Sequence, residues 1–171
     1  SGARFWHRRP RGDWGKGKLA SIEDILEILK RWALPNKDME GMRVLVTAGP
    51  TREYIDPVRF ISNPSSGRMG YAIARACLSR GASVDLVTGP VDVKPPQGAN
   101  VYKVETALQM YEKVLELYDK ADIVFKAAAV ADYRPVETKE QKIKKGQGNM
   151  MLEMVRNPDI LLELGKRKKH Q

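Results

Sequence analysis

The sequence predicts an α/β fold, a doubly wound and mainly parallel sheet with helices on both faces. Three observations predict it. Short apolar runs bounded by turn residues recur at Val44-Leu45-Val46, Ser83–Thr88, residues 100–104 and Ile123-Val124-Phe125, as buried strands require. Stretches of helical periodicity follow the first and third of them. The resulting order, strand, helix, strand, then a further strand before a second helix, is the first half of a doubly wound sheet. At 171 residues and 42% hydrophobic, the chain can hold one such domain with a real core plus appendages.

The front segment, 1–41, divides at Leu19. Before it there is only charge, glycine and aromatic residues. After it, Ser21 is a good N-cap, and Ile22, Ile25, Leu26 and Leu29 recur at helical spacing. Glu23, Asp24 and Glu27 lie early and Lys30 and Arg31 late, as the helix dipole favours. The expectation is an amphipathic helix over 21–32 that packs on a neighbour, ended by Pro35, with a linker over 35–41 and the main domain over 42–171.

The first main strand, at Val44, leads into a connection of about twenty residues, against the ~2–6 of ordinary βα loops, and loops of that length usually carry function. The Gly49-Pro50-Thr51 turn should shape its floor. Asn63, before Pro64, is extended. It is either a turn amide bonding local backbone or an amide that polarises a carbonyl and steadies a tetrahedral acyl intermediate. The loop ends at Ser65, Ser66 and Gly67, where a helix begins whose first N–H groups have no intrahelical partner, an anion site in the making. Glycine at 67 and 70 allows close approach of a phosphate or of another backbone. Cys77, among Ile73, Ala76 and Leu78, is a small core residue, and Gly81 stops the helix.

The strand Ser83–Thr88 ends in Thr88-Gly89, where nicotinamide-dependent oxidoreductases place an acid for the ribose. None of Tyr54, Tyr71, Tyr102, Tyr111, Tyr118 or Tyr133 has a lysine four residues on, as their short-chain class needs. That alternative fails on both residues. Thr106 caps a helix over Ala107–Tyr118 whose stripe of Leu108, Tyr111, Leu115 and Tyr118 should be core. The alanines at 127–129, after the fourth strand, either leave room for a ligand above the sheet or serve tight helix packing. Asp132 either caps the next segment or faces the pocket. Lys142-Ile143-Lys144-Lys145, before the mobile composition Gly146-Gln147-Gly148, is a solvated basic turn or a flap whose lysine closes over a triphosphate. Asn157 should cap the last helix with Pro158 at its first position, giving a second anion or nucleotide-edge site.

The formal charge of +9 does not mark a nucleic-acid binder. Residues 1–18 carry six Lys/Arg against one acid and residues 166–171 carry four, while the remaining 147 residues hold 20 of each sign. No apolar run approaches the ~18–20 residues of a membrane span, and no signal-peptide pattern precedes the basic start. The expectation is a soluble, cytoplasmic protein. One cysteine and two distant histidines leave neither a disulfide nor a metal-ligand cluster.

TAGPTREYIDPVRFISNPSSGRMG, AAVADYRP, KIKK and VRNPDIL resemble, in order and spacing, the motifs of bacterial phosphopantothenoylcysteine synthetases. The resemblance covers about residues 42–164. It implies a Rossmann-like ligase domain that joins 4′-phosphopantothenate to cysteine with CTP and Mg²⁺, through an acyl-cytidylate. Although the residues alone do not exclude ATP, the bacterial form of the motifs favours CTP. By the same resemblance Asn63 is catalytic, with Ala128 and Ala129 beside it in the substrate pocket. Lys142, Asp132, Ala128 and the run Pro158, Asp159, Ile160 and Leu161 serve the nucleotide, with Asp132 also the candidate metal ligand. A homo-oligomer, a dimer with sites completed across the interface, is implied as well.

GDWGKGKLASIEDIL is similar to the end of the family's decarboxylase domain, but Arg11 stands where that domain has its proton-donating cysteine. No flavin is therefore expected on this chain, and the front piece reads as a remnant. The sequence stops where a fifth strand is expected, before a phenylalanine and two lysines of the family's nucleotide site. A catalytically silent nucleotide-binding fragment is the alternative to an active ligase.

Overall fold

The structure, a computed structural model, describes residues 7–8, 14–15, 21–33, 37–146 and 148–171. In chain order its elements are β1 (His7–Arg8), β2 (Trp14–Gly15), α1 (Ile22–Ala33), β3 (Arg43–Ala48), β4 (Arg52–Tyr54), β5 (Phe60–Ser62) and α2 (Arg68–Ser79). Then follow β6 (Ser83–Thr88), β7 (Asn100–Lys103), α3 (Ala107–Tyr118), β8 (Ile123–Lys126), β9 (Tyr133–Pro135), β10 (Met154–Arg156) and α4 (Ile160–Arg167). The main sheet has the order β7-β6-β3-β8 and is parallel throughout. The Rossmann-like α/β expectation holds.

Alternation along the strands splits the core into two layers. Val44, Val46 and Ala48 of β3 point to the α2 side, where they meet Tyr71, Ala74, Cys77 and Leu78. Leu45 points the other way, into Met110, Val114 and Leu117 of α3 and Ile160 and Leu164 of α4. The buried strand β3 can be apolar on both faces because a helix covers each. Cys77 is core, as expected, and burial pushes its thiol above the usual value.

Thr106 forms a full capping box with Gln109 at the start of α3. The buried stripe of that helix is a correction. It runs through Ala107, Met110, Val114 and Leu117, and of the expected set only Tyr118 is buried, while Tyr111 and Leu115 sit at its margin. Two adjacent stripes of this helix are apolar, and the small Ala107 lets the helix roll one position toward the sheet.

The expected apolar face of α1 is also corrected. Ile22, Leu26, Leu29 and Trp32 are exposed, whereas Asp24 is buried and paired with Lys94 at 2.5 Å. The hydrogen bond from Lys94, followed by that of Ser21, holds the Asp24 carboxyl below its usual range. Ser21 Oγ accepts the Asp24 N–H, the expected cap, and α1 lies against α2. Pro35 and Arg11 lie outside the described residues. Met39 is part of the α2-side core and its N–H donates to the Arg80 carbonyl, so packing reaches back into the segment read as linker.

Candidate functional site

Past the ends of β3 and β8 the chain continues to pair. Pro50 bridges Ala129, the Ala129 N–H donates to Gly49 O at 2.9 Å, and the Thr51 N–H donates to Ala129 O at 3.3 Å. Thr51 is fully buried, and its Oγ1 accepts the Ala131 N–H at 3.0 Å. The Gly49-Pro50-Thr51 turn is thus a floor that fixes the alanine row at the carboxyl end of the sheet, where open α/β folds bind ligands.

The long connection is not open loop. It holds the antiparallel hairpin β4–β5, with Arg52 opposite Ser62, which returns Asn63 to the floor. There Asn63 Nδ2 donates to Val130 O at 3.2 Å. The bond is to a distant segment rather than to local turn backbone. Asn63 is exposed, and among the described residues its Oδ1 has no protein partner, so it can meet a ligand.

Asn157 ties a third motif to the same place. Its N–H donates to Asp132 O at 2.7 Å, its Nδ2 to Ala131 O at 2.8 Å, and its Oδ1 accepts from Arg134 at 3.0 Å. It is therefore not the helix cap, a third correction. Asp159 caps α4, accepting the Leu162 N–H at 3.0 Å, and Pro158 precedes the cap instead of opening the helix. The Leu162 N–H bond, with Lys126 and Arg156 nearby, keeps the Asp159 carboxyl below its usual range. A carboxylate already occupies this helix start, so it is not a site for a further anion. Ile160 is core and Leu161 is exposed.

At α2 the start is open. Gly67 is the N-cap in the left-handed region, φ 70°, with no side-chain cap, and Ser65 Oγ accepts its N–H at 3.4 Å. Gly70 serves the fold rather than a ligand, since a Cβ there would lie 2.5 Å from Ala48 Cβ and 2.9 Å from Thr47 O. Ser65, Ser66, Arg52, Arg68 and Lys103 line a hollow of about 650 Å³ beyond β6 and β7. Thr88, at the end of β6, is buried and donates to Gly89 O, so no acid stands where a ribose diol would be read.

Between β9 and β10 runs the lysine-bearing flap. It is pinned to the hairpin at four points: Thr138 Oγ1 to Tyr54 O, the Lys139 N–H to Ile55 O, the Ile143 N–H to Asp56 Oδ2, and Arg59 Nη2 to Ile143 O. Sequence reading missed Asp56 and Arg59. The available signal was Asp56-Pro57-Val58-Arg59, in which an aspartate can accept the N–H groups two and three residues on, as Asp56 Oδ1 does at 2.9 and 2.8 Å. Burial would raise the fully buried Asp56 carboxyl, but the Arg59 guanidinium and three backbone N–H groups outweigh it and hold it well below the usual range.

Lys142 itself is exposed and lines a hollow of about 940 Å³ with Arg59, Lys144 and Lys145. Among the described residues, no hydrogen bond or ion pair joins it to Asn63, Asp132 or residues 158–161. Gln147, in the expected mobile stretch, lies outside the described residues. Asp132 is exposed, and no group of three or more His, Cys, Asp or Glu able to hold a metal is found among the described residues. A magnesium ion here would fit only as Mg²⁺ usually does in nucleotide sites, on the substrate phosphates with one protein carboxylate and water.

Over residues 39–171 the chain matches the family described as DNA/pantothenate metabolism flavoprotein C-terminal domain. It is 46% identical over 160 residues to the coenzyme A biosynthesis bifunctional protein CoaBC of Haemophilus influenzae, covering 94% of this chain and 40% of that protein. The corresponding protein of Bacillus subtilis is 48% identical over 160 residues, with 92% and 39% covered. The chain therefore spans about two-fifths of the length of these curated relatives. Among solved structures, the C-terminal domain of a CoaBC protein superposes with a TM-score of 0.70 at 46% identity, covering 80% of this chain and 64% of that one. Sequence and fold lead to one conclusion: the chain belongs to the DNA/pantothenate metabolism flavoprotein C-terminal domain family.

Proposed function

We propose that this domain forms the amide bond between 4′-phosphopantothenate and cysteine, with CTP as the activating co-substrate. A carboxylate is a poor acyl donor until one oxygen becomes a good leaving group. The pantothenate carboxylate oxygen attacks the α-phosphorus of CTP, the bond to the β-phosphate oxygen breaks, and pyrophosphate leaves with the electron pair. The cysteine amine then attacks the acyl carbon, loses a proton, and CMP departs as the amide forms.

The observation that carries this reading is the convergence of Asn63, the 127–131 row and the Asn157 segment at the carboxyl end of the sheet. In it Asn63 donates to the developing oxyanion of the acyl-transfer step, with Ala128 and Ala129 shaping the pocket through their backbone. Lys142 contacts the triphosphate, the α2 start with Ser65, Ser66 and Gly67 receives anionic oxygens, and the 158–161 backbone reads the nucleotide edge. When bound, Mg²⁺ would neutralise phosphate charge, and Asp132 is the carboxylate placed to hold it.

We assign 42–171 to the ligase domain and 1–41 to a decarboxylase-tail remnant with its linker, and place the enzyme in the cytoplasm as a homodimer. No helix among the described residues is long and apolar enough to cross a membrane. Pyrophosphate release in the presence of Mg²⁺ and phosphopantothenate tests the reading. We expect release with CTP, much less with ATP, and amide product once cysteine is added. CTP binding without pyrophosphate would instead mark a silent nucleotide-binding domain.

A further inference from the structure

We propose that Asp56 is a positioning residue that docks the lysine flap onto the β4–β5 hairpin, and so sets Lys142 in a fixed relation to Asn63. Its functional meaning rests on the ligase reading, while its geometry stands alone. Asp56 lies at the hairpin turn and is fully buried. Its Oδ1 accepts the Val58 and Arg59 N–H groups, which shapes the turn. Its Oδ2 accepts Arg59 Nε at 2.9 Å, Arg59 Nη2 at 2.6 Å and the Ile143 N–H at 3.1 Å. Arg59 Nη2 donates in turn to Ile143 O at 2.7 Å.

Both backbone polar groups of Ile143, the residue after Lys142, are therefore held by one ion pair, whose carboxylate is buried and whose guanidinium is partly exposed. Backbone capture of this kind acts on whatever side chain stands at 143, and charge-assisted bonds are about twice as strong as neutral ones. Thr138 and Lys139 fix the root of the flap on Tyr54 and Ile55, but between Lys139 and residue 150 the only hydrogen bonds to the hairpin among the described residues are those at Ile143. The other end of the same hairpin, β5, delivers Asn63. One rigid unit thus carries the acyl-transfer amide at one end and the anchor of the phosphate lysine at the other.

Two variants separate docking from general stability. Asp56→Asn keeps an oxygen for the turn and loses the charge toward Arg59; Ile143→Pro removes the flap's own donor and also makes the bond after Lys142 resistant to trypsin. Trypsin cleavage after Lys144 and Lys145, relative to cleavage after Lys120, therefore reads flap release in both variants with no ligand present. Both variants should raise the ratio at least about tenfold, the effect of losing a charge-assisted bond. Calorimetric titration with CTP and Mg²⁺ should show affinity falling at least about tenfold in Asp56→Asn while phosphopantothenate affinity changes less than about twofold. An unchanged cleavage ratio, cleavage rising equally at Lys120, or equal loss of both ligands overturns the proposal. Absence of CTP binding in the unsubstituted chain would overturn the ligase reading instead and leave the cleavage result standing.

Discussion

At the scale of single residues, the proposed ligase reading puts the acyl-transfer step on Asn63. Nδ2 gives one hydrogen to Val130 O and keeps a second for a ligand, so a substitution that keeps the shape but removes both donors tests the role together with the loss of the Val130 bond. Asn63→Asp should preserve CTP-dependent activation while cysteine transfer falls by ~10²–10³, the cost of losing one oxyanion donor, so that the acyl-cytidylate accumulates. Quench analysis of the two half-reactions checks this, and equal loss in both would sink the assignment. Lys142 is different in kind, an exposed cation whose backbone neighbour is held while its own ammonium is free to reach a ligand. Lys142→Ala should weaken triphosphate binding by ~1.5–3 kcal/mol and leave phosphopantothenate binding nearly unchanged, as titration with each ligand would show. Asn63 and Lys142 were singled out because their motifs stand out in the sequence, and the structure places Asn63 beside the alanine row. Asp56 was not, because a carboxylate that works by burial among backbone N–H groups looks, in a string of letters, like any turn aspartate.

At the scale of elements, strands and helix starts were legible where local chemistry decides them. Ser83–Thr88 and Ala107–Tyr118 fall where turn residues and the Thr106 cap put them. What periodicity could not decide is which of two apolar stripes faces the sheet in α3, or that α1 turns a salt-bridged Asp24 inward and leaves Leu26 and Leu29 outside. Both are settled by long-range contacts absent from any local window. The α4 cap moved from Asn157 to Asp159 for the same reason, since Asn157 is taken up by Ala131 and Asp132. The α2 start gives a sharp test of element packing. Gly70 lies against β3 so closely that a methyl group would meet Ala48 Cβ at 2.5 Å and a backbone carbonyl at 2.9 Å. Neither neighbour can swing aside, because both belong to a buried strand. Gly70→Ala should therefore lower stability by ~1–3 kcal/mol despite its better helix propensity, and denaturant unfolding will measure it. An unchanged midpoint would mean that α2 can lift from the sheet at little cost.

At the scale of the whole molecule, the sheet ends in β7 on one side and β8 on the other. Each pairs with one neighbour, β6 and β3 respectively, and among the described residues no strand lies beyond either. The outer edge of β8 presents unpaired backbone groups, and Phe125 on that strand is 36% exposed, which together make a template for another chain unless something covers it. The front helix does not, because α1 packs on α2, on the face of the sheet, and not along β8. The parallel direction of the sheet matters here. A twofold axis at this edge would pair two β8 strands antiparallel and bury Phe125 against its copy, an isologous contact that closes after two subunits and does not propagate. The excess basic charge lies at the two chain ends and repels only weakly at physiological salt, where the screening length is ~8 Å. The chain should therefore sediment as a dimer at micromolar concentration, and Phe125→Lys, which places a like charge at the centre of the proposed contact, should shift it to monomer without moving the thermal midpoint of the monomeric fold. A chain that sediments as a monomer before any substitution would show that the open β8 edge is not the route by which this domain associates.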